Sequence, residues 1–145
     1  RSLRDTVETM LYRLAKVELP EATSRLAKVH GFNPERVTIR NQRTRWGSCS
    51  STGAISLNWR LIQVPAFVRD YVILHELIHL DHLNHSIRFW ECLAKACPNL
   101  NAAEAWLKLH GKDLLVFEQQ TLPFEKVVQG KKNTRMLHPG ASFNL

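Results

Sequence analysis

The stretch Tyr71-Val72-Ile73-Leu74-His75-Glu76-Leu77-Ile78-His79-Leu80 most narrowly limits what this chain can fold into. It holds no Gly or Pro and its flanks are mostly apolar, so it predicts a buried helix. Helical residues advance by about 100° each, which puts His79 roughly 40° round from His75 and one turn along. Both imidazoles then leave one face and can reach a single ion, and Glu76 can hold a water beside that ion. Two neutral imidazoles and a carboxylate are what a zinc hydrolase needs for ligation and general-base work. Patterns with three fixed positions also arise by chance, and lone helical histidines are usually surface or capped core residues. Here Leu74, Leu77, Ile78 and Leu80 would embed the cluster. A buried His-Glu-His group without an ion would leave costly unpaired polar groups.

His82 and His85 compete for the place of third ligand. His82 falls within about 20° of His75 on a straight helix, but its rise of roughly 10 Å defeats zinc–nitrogen bonds of about 2.1 Å. His85 would point about 240° round from His79 on a continued helix. It ligates only if the helix stops and the chain doubles back. Asn84 can supply the stop, because Asn tolerates the left-handed conformation. Asn84 or Ser86 can cap a following helix through Phe89-Trp90. This geometry favours His75, His79 and His85 as metal ligands, with His82 nearby or on the surface. Glu91 and Glu104 are weaker alternatives, since some zinc hydrolases take a carboxylate from a later helix.

Ahead of the motif, Ser2 and Asp5 carry a capping-box signature. Leu3, Val7, Met10, Leu11 and Leu14 recur at helical spacing and predict an amphipathic packing helix. Pro20 is expected to open a second helix, closed by Gly31 after His30, with Leu26 and Val29 facing inward. From Arg36 to Leu61 the period changes: Val37, Ile39, Ile55, Leu57 and Trp59 alternate with polar residues around a Ser50-Ser51-Thr52-Gly53 turn. This predicts a small antiparallel sheet, after which Pro65 starts the helix of His75. If the strand Gly53–Asn58 has an exposed edge, it can take an extended peptide by strand addition, making Ile55, Leu57 and Asn58 substrate-binding residues. An interior strand is the equal alternative.

Four segments together resemble the YgjP-like metallopeptidase family, a zincin group similar to SprT-like proteases. They are Arg45-Trp46-Gly47-Ser48-Cys49, the Gly53–Asn58 strand, His75–Leu80, and Asn84-His85-Ser86 followed by Phe89-Trp90. The resemblance covers roughly residues 21–109. It implies a minimal zincin-like α+β fold, with a small antiparallel sheet packed on an active-site helix and further helices. It also implies a zinc cofactor and a third ligand at His85, in agreement with the geometric choice. The Arg-Trp-Gly-Ser-Cys run receives no chemical task from physics alone; Gly47 fits a bulge or a close backbone approach.

The expected organisation is one domain over residues 1–115: a helical lead-in (1–35), the sheet (36–62), and the active-site and supporting helices (65–111). One of those helices is expected over Asn101–His110 with Gly111 as its cap. An irregular tail follows over 116–145. The function this implies is zinc-dependent peptide hydrolysis, with Glu76 taking the proton of the attacking water and passing it to the leaving amine. His82, Tyr71 or an arginine are the options for holding the developing oxyanion, and Asp81 for orienting an imidazole. Zinc ligation by Cys49, Cys92 or Cys97 is not expected, because the three lack CxxC spacing. As free thiols they point to a cytoplasmic setting. No apolar run reaches transmembrane length.

Charge adds an alternative. Residues 1–60 carry +6, residues 61–115 carry −1 and the remainder +2. Arg43 and Arg45 would share a face of one strand. A basic face of that kind can attract nucleic acid, which would make the chain a binding module with a structural or vestigial zinc.

Overall fold

Helix α1 (Leu3–His30) opens the structure, a computed structural model that describes residues 2–116. Its start is the expected capping box. The Ser2 side chain accepts from the Asp5 backbone N–H at 3.1 Å, and the Asp5 carboxylate accepts from the Ser2 N–H. Its end is Gly31, at φ 77°, where a residue without Cβ meets no strain.

Pro20 does not start a second helix; it lies inside α1. A mid-helix proline costs about 3 kcal/mol. Ala15, Leu19, Ala22, Thr23 and Ala27 are buried on both sides of it, so tertiary packing carries the helix across. Thr23 Oγ1 donates to the Leu19 carbonyl at 2.8 Å. The early apolar stripe is also not the packed face: Leu3, Val7, Met10 and Leu14 are exposed. Of the pair expected inward later, Leu26 packs on the core while Val29 is 70% exposed.

Strands β1 (Arg36–Arg40), β2 (Gly47–Cys49) and β3 (Ala54–Asn58) form one sheet in the order β1-β3-β2. The sheet is mixed rather than wholly antiparallel. β1 runs parallel to β3, with Arg36 opposite Ala54, and β2 runs antiparallel to it, with Gly47 opposite Leu57. Alternating burial looks the same in either direction, so periodicity could not tell them apart. The hairpin after β2 inserts β3 between its neighbours, which makes β3 central. The sheet ends at Asn58, and Trp59–Gln63 is a short 3-10 helix rather than further strand.

Helix α2 (Ala66–Ile78) is buried almost throughout, from Val68 to Ile78. It packs against α1, β2, helix α3 (Ile87–Ala96) and helix α4 (Leu100–Val116). Gly111 does not cap a helix but lies within α4, its Cα side facing Trp46. The tail expected beyond Val116 lies outside the described residues. Among the described residues no helix is long and apolar enough to cross a membrane.

Candidate metal centre

Helix α2 presents His75 and Glu76 from its last turns, and its C-cap is His79, still right-handed at φ −62° and ψ −18°. The helix therefore stops at Ile78, earlier than Asn84. Leu80 and Asp81 tighten the exit with bonds back to Leu77 and Ile78. The freed segment doubles back and delivers His85. Ser86 then caps α3, its hydroxyl accepting from Phe89 N–H at 3.3 Å.

Ligand atoms of His75, His79 and His85 lie within 4.8 Å of one another. The Nε2 atoms of His79 and His85 are 3.1 Å apart, close to the roughly 3.4 Å between two nitrogens on a tetrahedral zinc ion. His79 Nδ1 lies 2.9 Å from the His82 carbonyl. A carbonyl only accepts, so Nδ1 carries the proton and Nε2 presents its lone pair to the site. His82 thus orients the His79 imidazole through its backbone, the task first expected of Asp81. Phe89 packs against all three imidazoles, at 4.9, 4.6 and 4.9 Å between ring centroids. It was visible in the sequence only as part of the Phe-Trp pair.

The donor set fits a divalent cation on its own chemistry. Both ring nitrogens of His75 and both oxygens of Glu76 are buried with no hydrogen-bond partner. The 3.4 Å approach of His75 Nδ1 to Glu76 Oε2 is electrostatic, without hydrogen-bond alignment. Such groups are costly to bury unless something else satisfies them. Burial pushes the His75 pKa down to about 3, which keeps it in the neutral, ligating form. His79 is pushed down by burial and then by His75. Burial lifts Glu76 to about 7, against the pull of His79 and Arg45. Burial and then the Glu76 charge raise the Cys49 thiol to about 11, so it is no thiolate ligand.

Gly47 explains part of the Arg-Trp-Gly-Ser-Cys run. A Cβ there would stand 3.0 Å from Glu76 Cγ, 3.2 Å from its Oε2 and 3.2 Å from the Ser56 carbonyl. The glycine leaves the space that the carboxylate occupies, so the close-approach reading is the one that fits.

Other residues take different positions from those expected. Ile55, Leu57 and Asn58 sit on the central strand and are buried, so they offer no open edge. Asn58 is instead a structural clamp. Its Nδ2 donates to the carbonyls of Gln42 and Arg45, and its Oδ1 accepts from Arg60 N–H. Arg43 and Arg45 lie in the irregular 41–46 segment, not on a strand. Arg43 lines a cavity with Asp5 and Glu8, whereas the charge of Arg45 is felt by Glu76. Tyr71 is fully buried and donates to Glu104 at 3.1 Å, which occupies both polar groups, while its ring meets His75 edge-on at 6.1 Å. Glu91 is exposed, outside that cluster.

A model of the YgjP-like, metallopeptidase domain family matches residues 1–110. The chain belongs to this family. Membership makes the YgjP-like chain a peptidase that works with a metal ion on a peptide or protein substrate. It lends nucleic-acid binding no support. The fold is similar to that of the metallopeptidase zymogen of Pyrococcus abyssi, abylysin. The TM-score is 0.56 at 22% identity, over 65% of this chain and 93% of that one. It is also similar to the zymogen of Methanocaldococcus jannaschii, jannalysin. There the TM-score is 0.51 at 22% identity, over 63% of this chain and 97% of that one. No curated protein matches the chain.

Proposed function

We propose that the chain is a zinc-dependent peptidase in which His75, His79 and His85 hold the ion and Glu76 is the general base. One observation carries this reading: three imidazoles converge within 4.8 Å beside a buried carboxylate whose oxygens have no hydrogen-bond partner among the described residues. When bound, zinc supplies Lewis acidity and lowers the pKa of water near it towards about 7. Burial disfavours the charged form of the Glu76 carboxyl, which favours its taking up a proton from water. It takes one proton as water adds to the peptide carbonyl carbon and delivers it to the amide nitrogen as the C–N bond breaks. The Arg45 guanidinium is the arginine whose charge reaches the base, and it is our choice for partner to the developing oxyanion.

Substrate pairing moves from β3 to β2, the edge strand on that side of the sheet. A peptide added along β2 would run past Gly47 and hence past Glu76. Free thiols at Cys49, Cys92 and Cys97 support a reducing, cytoplasmic setting.

Elemental analysis of wild type and His85→Ala is the test. About one zinc per chain in the wild type, lost or much weakened in the variant, is the expected result. Zinc unaffected by His85→Ala would overturn the ligand set. Hydrolysis of a peptide library by wild type but not by Glu76→Gln, with zinc retained in both, tests the base.

A further inference from the structure

Beside the ligands lies a cleft of about 360 Å³, bordered by His79 and built from three turns. The turn after α1 contributes Phe32, the β2–β3 turn contributes Ser50 and Thr52, and the segment after α2 contributes Leu80, Asp81 and Leu83. Among the described residues Asp81 is the one carboxylate that lines it. No hydrogen bond, ion pair or charge interaction engages the Asp81 side chain among the described residues, and Asp81 is exposed. The opposite wall is polar but uncharged: Ser50 Oγ and Thr52 Oγ1 lie 2.9 Å apart, and Ser50 Oγ accepts from Ala54 N–H. Leu83 is 64% exposed, so its apolar surface is open to a visitor.

This combination matches one kind of side chain. A long aliphatic stem can lie along Phe32, Leu80 and Leu83 while a cationic head reaches Asp81 and the hydroxyl oxygens. The chain as a whole carries +7, so its general field repels cations, and attraction of a basic group here must come from the local carboxylate. We propose that the cleft beside His79 is a substrate subsite for a lysine or arginine side chain, with Asp81 as its specificity-determining residue. The proposal rests on the peptidase reading and names the substrate class within it.

The test uses the full chain loaded with zinc and fluorogenic peptides in which one position flanking the cleaved bond is varied at a time. At one position, arginine is expected to raise kcat/KM roughly tenfold over glutamine, the scale of a charge-assisted contact in a half-open site. Asp81→Asn is expected to bring that ratio close to one, and Asp81→Lys to invert it in favour of glutamate. Zinc stays at one per chain in all three. A wild type without basic preference, or a preference unchanged in Asp81→Asn, would overturn the proposal. A binding measurement separates this failure from failure of the peptidase reading. Glu76→Gln is expected to bind an arginine peptide roughly tenfold more tightly than its citrulline counterpart by fluorescence anisotropy. The double variant Glu76→Gln/Asp81→Asn is expected to lose the difference. Equal binding of both peptides overturns the subsite. Selective binding with no turnover by wild type keeps the subsite and overturns the peptidase.

Discussion

Asn58 with Arg60 and His75 with Glu76 are two buried polar clusters treated in opposite ways. Asn58 is 2% exposed and meets the Gln42 and Arg45 carbonyls and the Arg60 N–H, while Arg60 adds Asn41 and Gln42 as acceptors. His75 and Glu76 are 0% exposed, and their polar side-chain atoms have no hydrogen-bond partner among the described residues. Satisfied buried polar groups rigidify a fold, whereas unsatisfied ones hold stress that a ligand can relieve. The first cluster therefore marks architecture, since it ties the 41–46 segment to β3. The second marks chemistry.

The contrast breaks first at Glu76. Glu76→Gln is expected to lower kcat by roughly a hundredfold to ten-thousandfold while keeping zinc and thermal stability, read by steady-state kinetics and calorimetry. Asn58→Ala should do the reverse. It strips the partner from two backbone carbonyls at a cost of roughly 1–3 kcal/mol each, seen as a lower midpoint in urea unfolding. A fall in activity per folded molecule as large as that of Glu76→Gln would erase the distinction between the clusters.

Chelation sharpens it. Removing zinc should lower the Tm, and re-addition should restore it, because the ion binds only the folded arrangement of the three histidines. His85→Ala should show no such response. Gly47→Ala should cost less, roughly tenfold in kcat with zinc retained, because the added methyl would stand 3.0 Å from Glu76 Cγ and displace the carboxylate.

The smallest effect concerns Glu104. Burial raises its pKa, while the hydrogen bond from Tyr71 lowers it. A raised carboxylate binds its proton more tightly folded than unfolded, so its contribution is present below about pH 4.5 and is lost as pH rises through the folded value. Glu104→Gln cannot ionise and still accepts from Tyr71. It should match wild type at acid pH and become relatively more stable as pH rises towards neutrality, by thermal melts across that window.

Much of the proposed metal site was legible because it is local. Helical spacing places His75, Glu76 and His79 on one face whatever the rest of the chain does. The rise per residue excluded His82, and the need for a reversal selected His85, although the helix stops at Ile78 rather than Asn84. The α+β class and the positions of β1 and β3 followed from period. Strand direction did not, because burial alternates alike in parallel and antiparallel pairs. Pro20 misled for a similar reason. Its local penalty is real, but the buried face from Ala15 to Ala27 outweighs it.

What the sequence by itself determined is the chemistry that one helix can present: two imidazoles, a carboxylate, and the apolar flanks that bury them. Tertiary structure alone decided the rest. It made β3 the central strand, so Asn58 became a clamp and the open edge passed to β2. It set Gly47 against Glu76 and Arg45 within electrostatic reach of it. It placed Asp81 in a cleft walled by two distant turns. Each of these depends on which remote segment arrives as a neighbour, and a side chain's spacing along its own element holds no record of that.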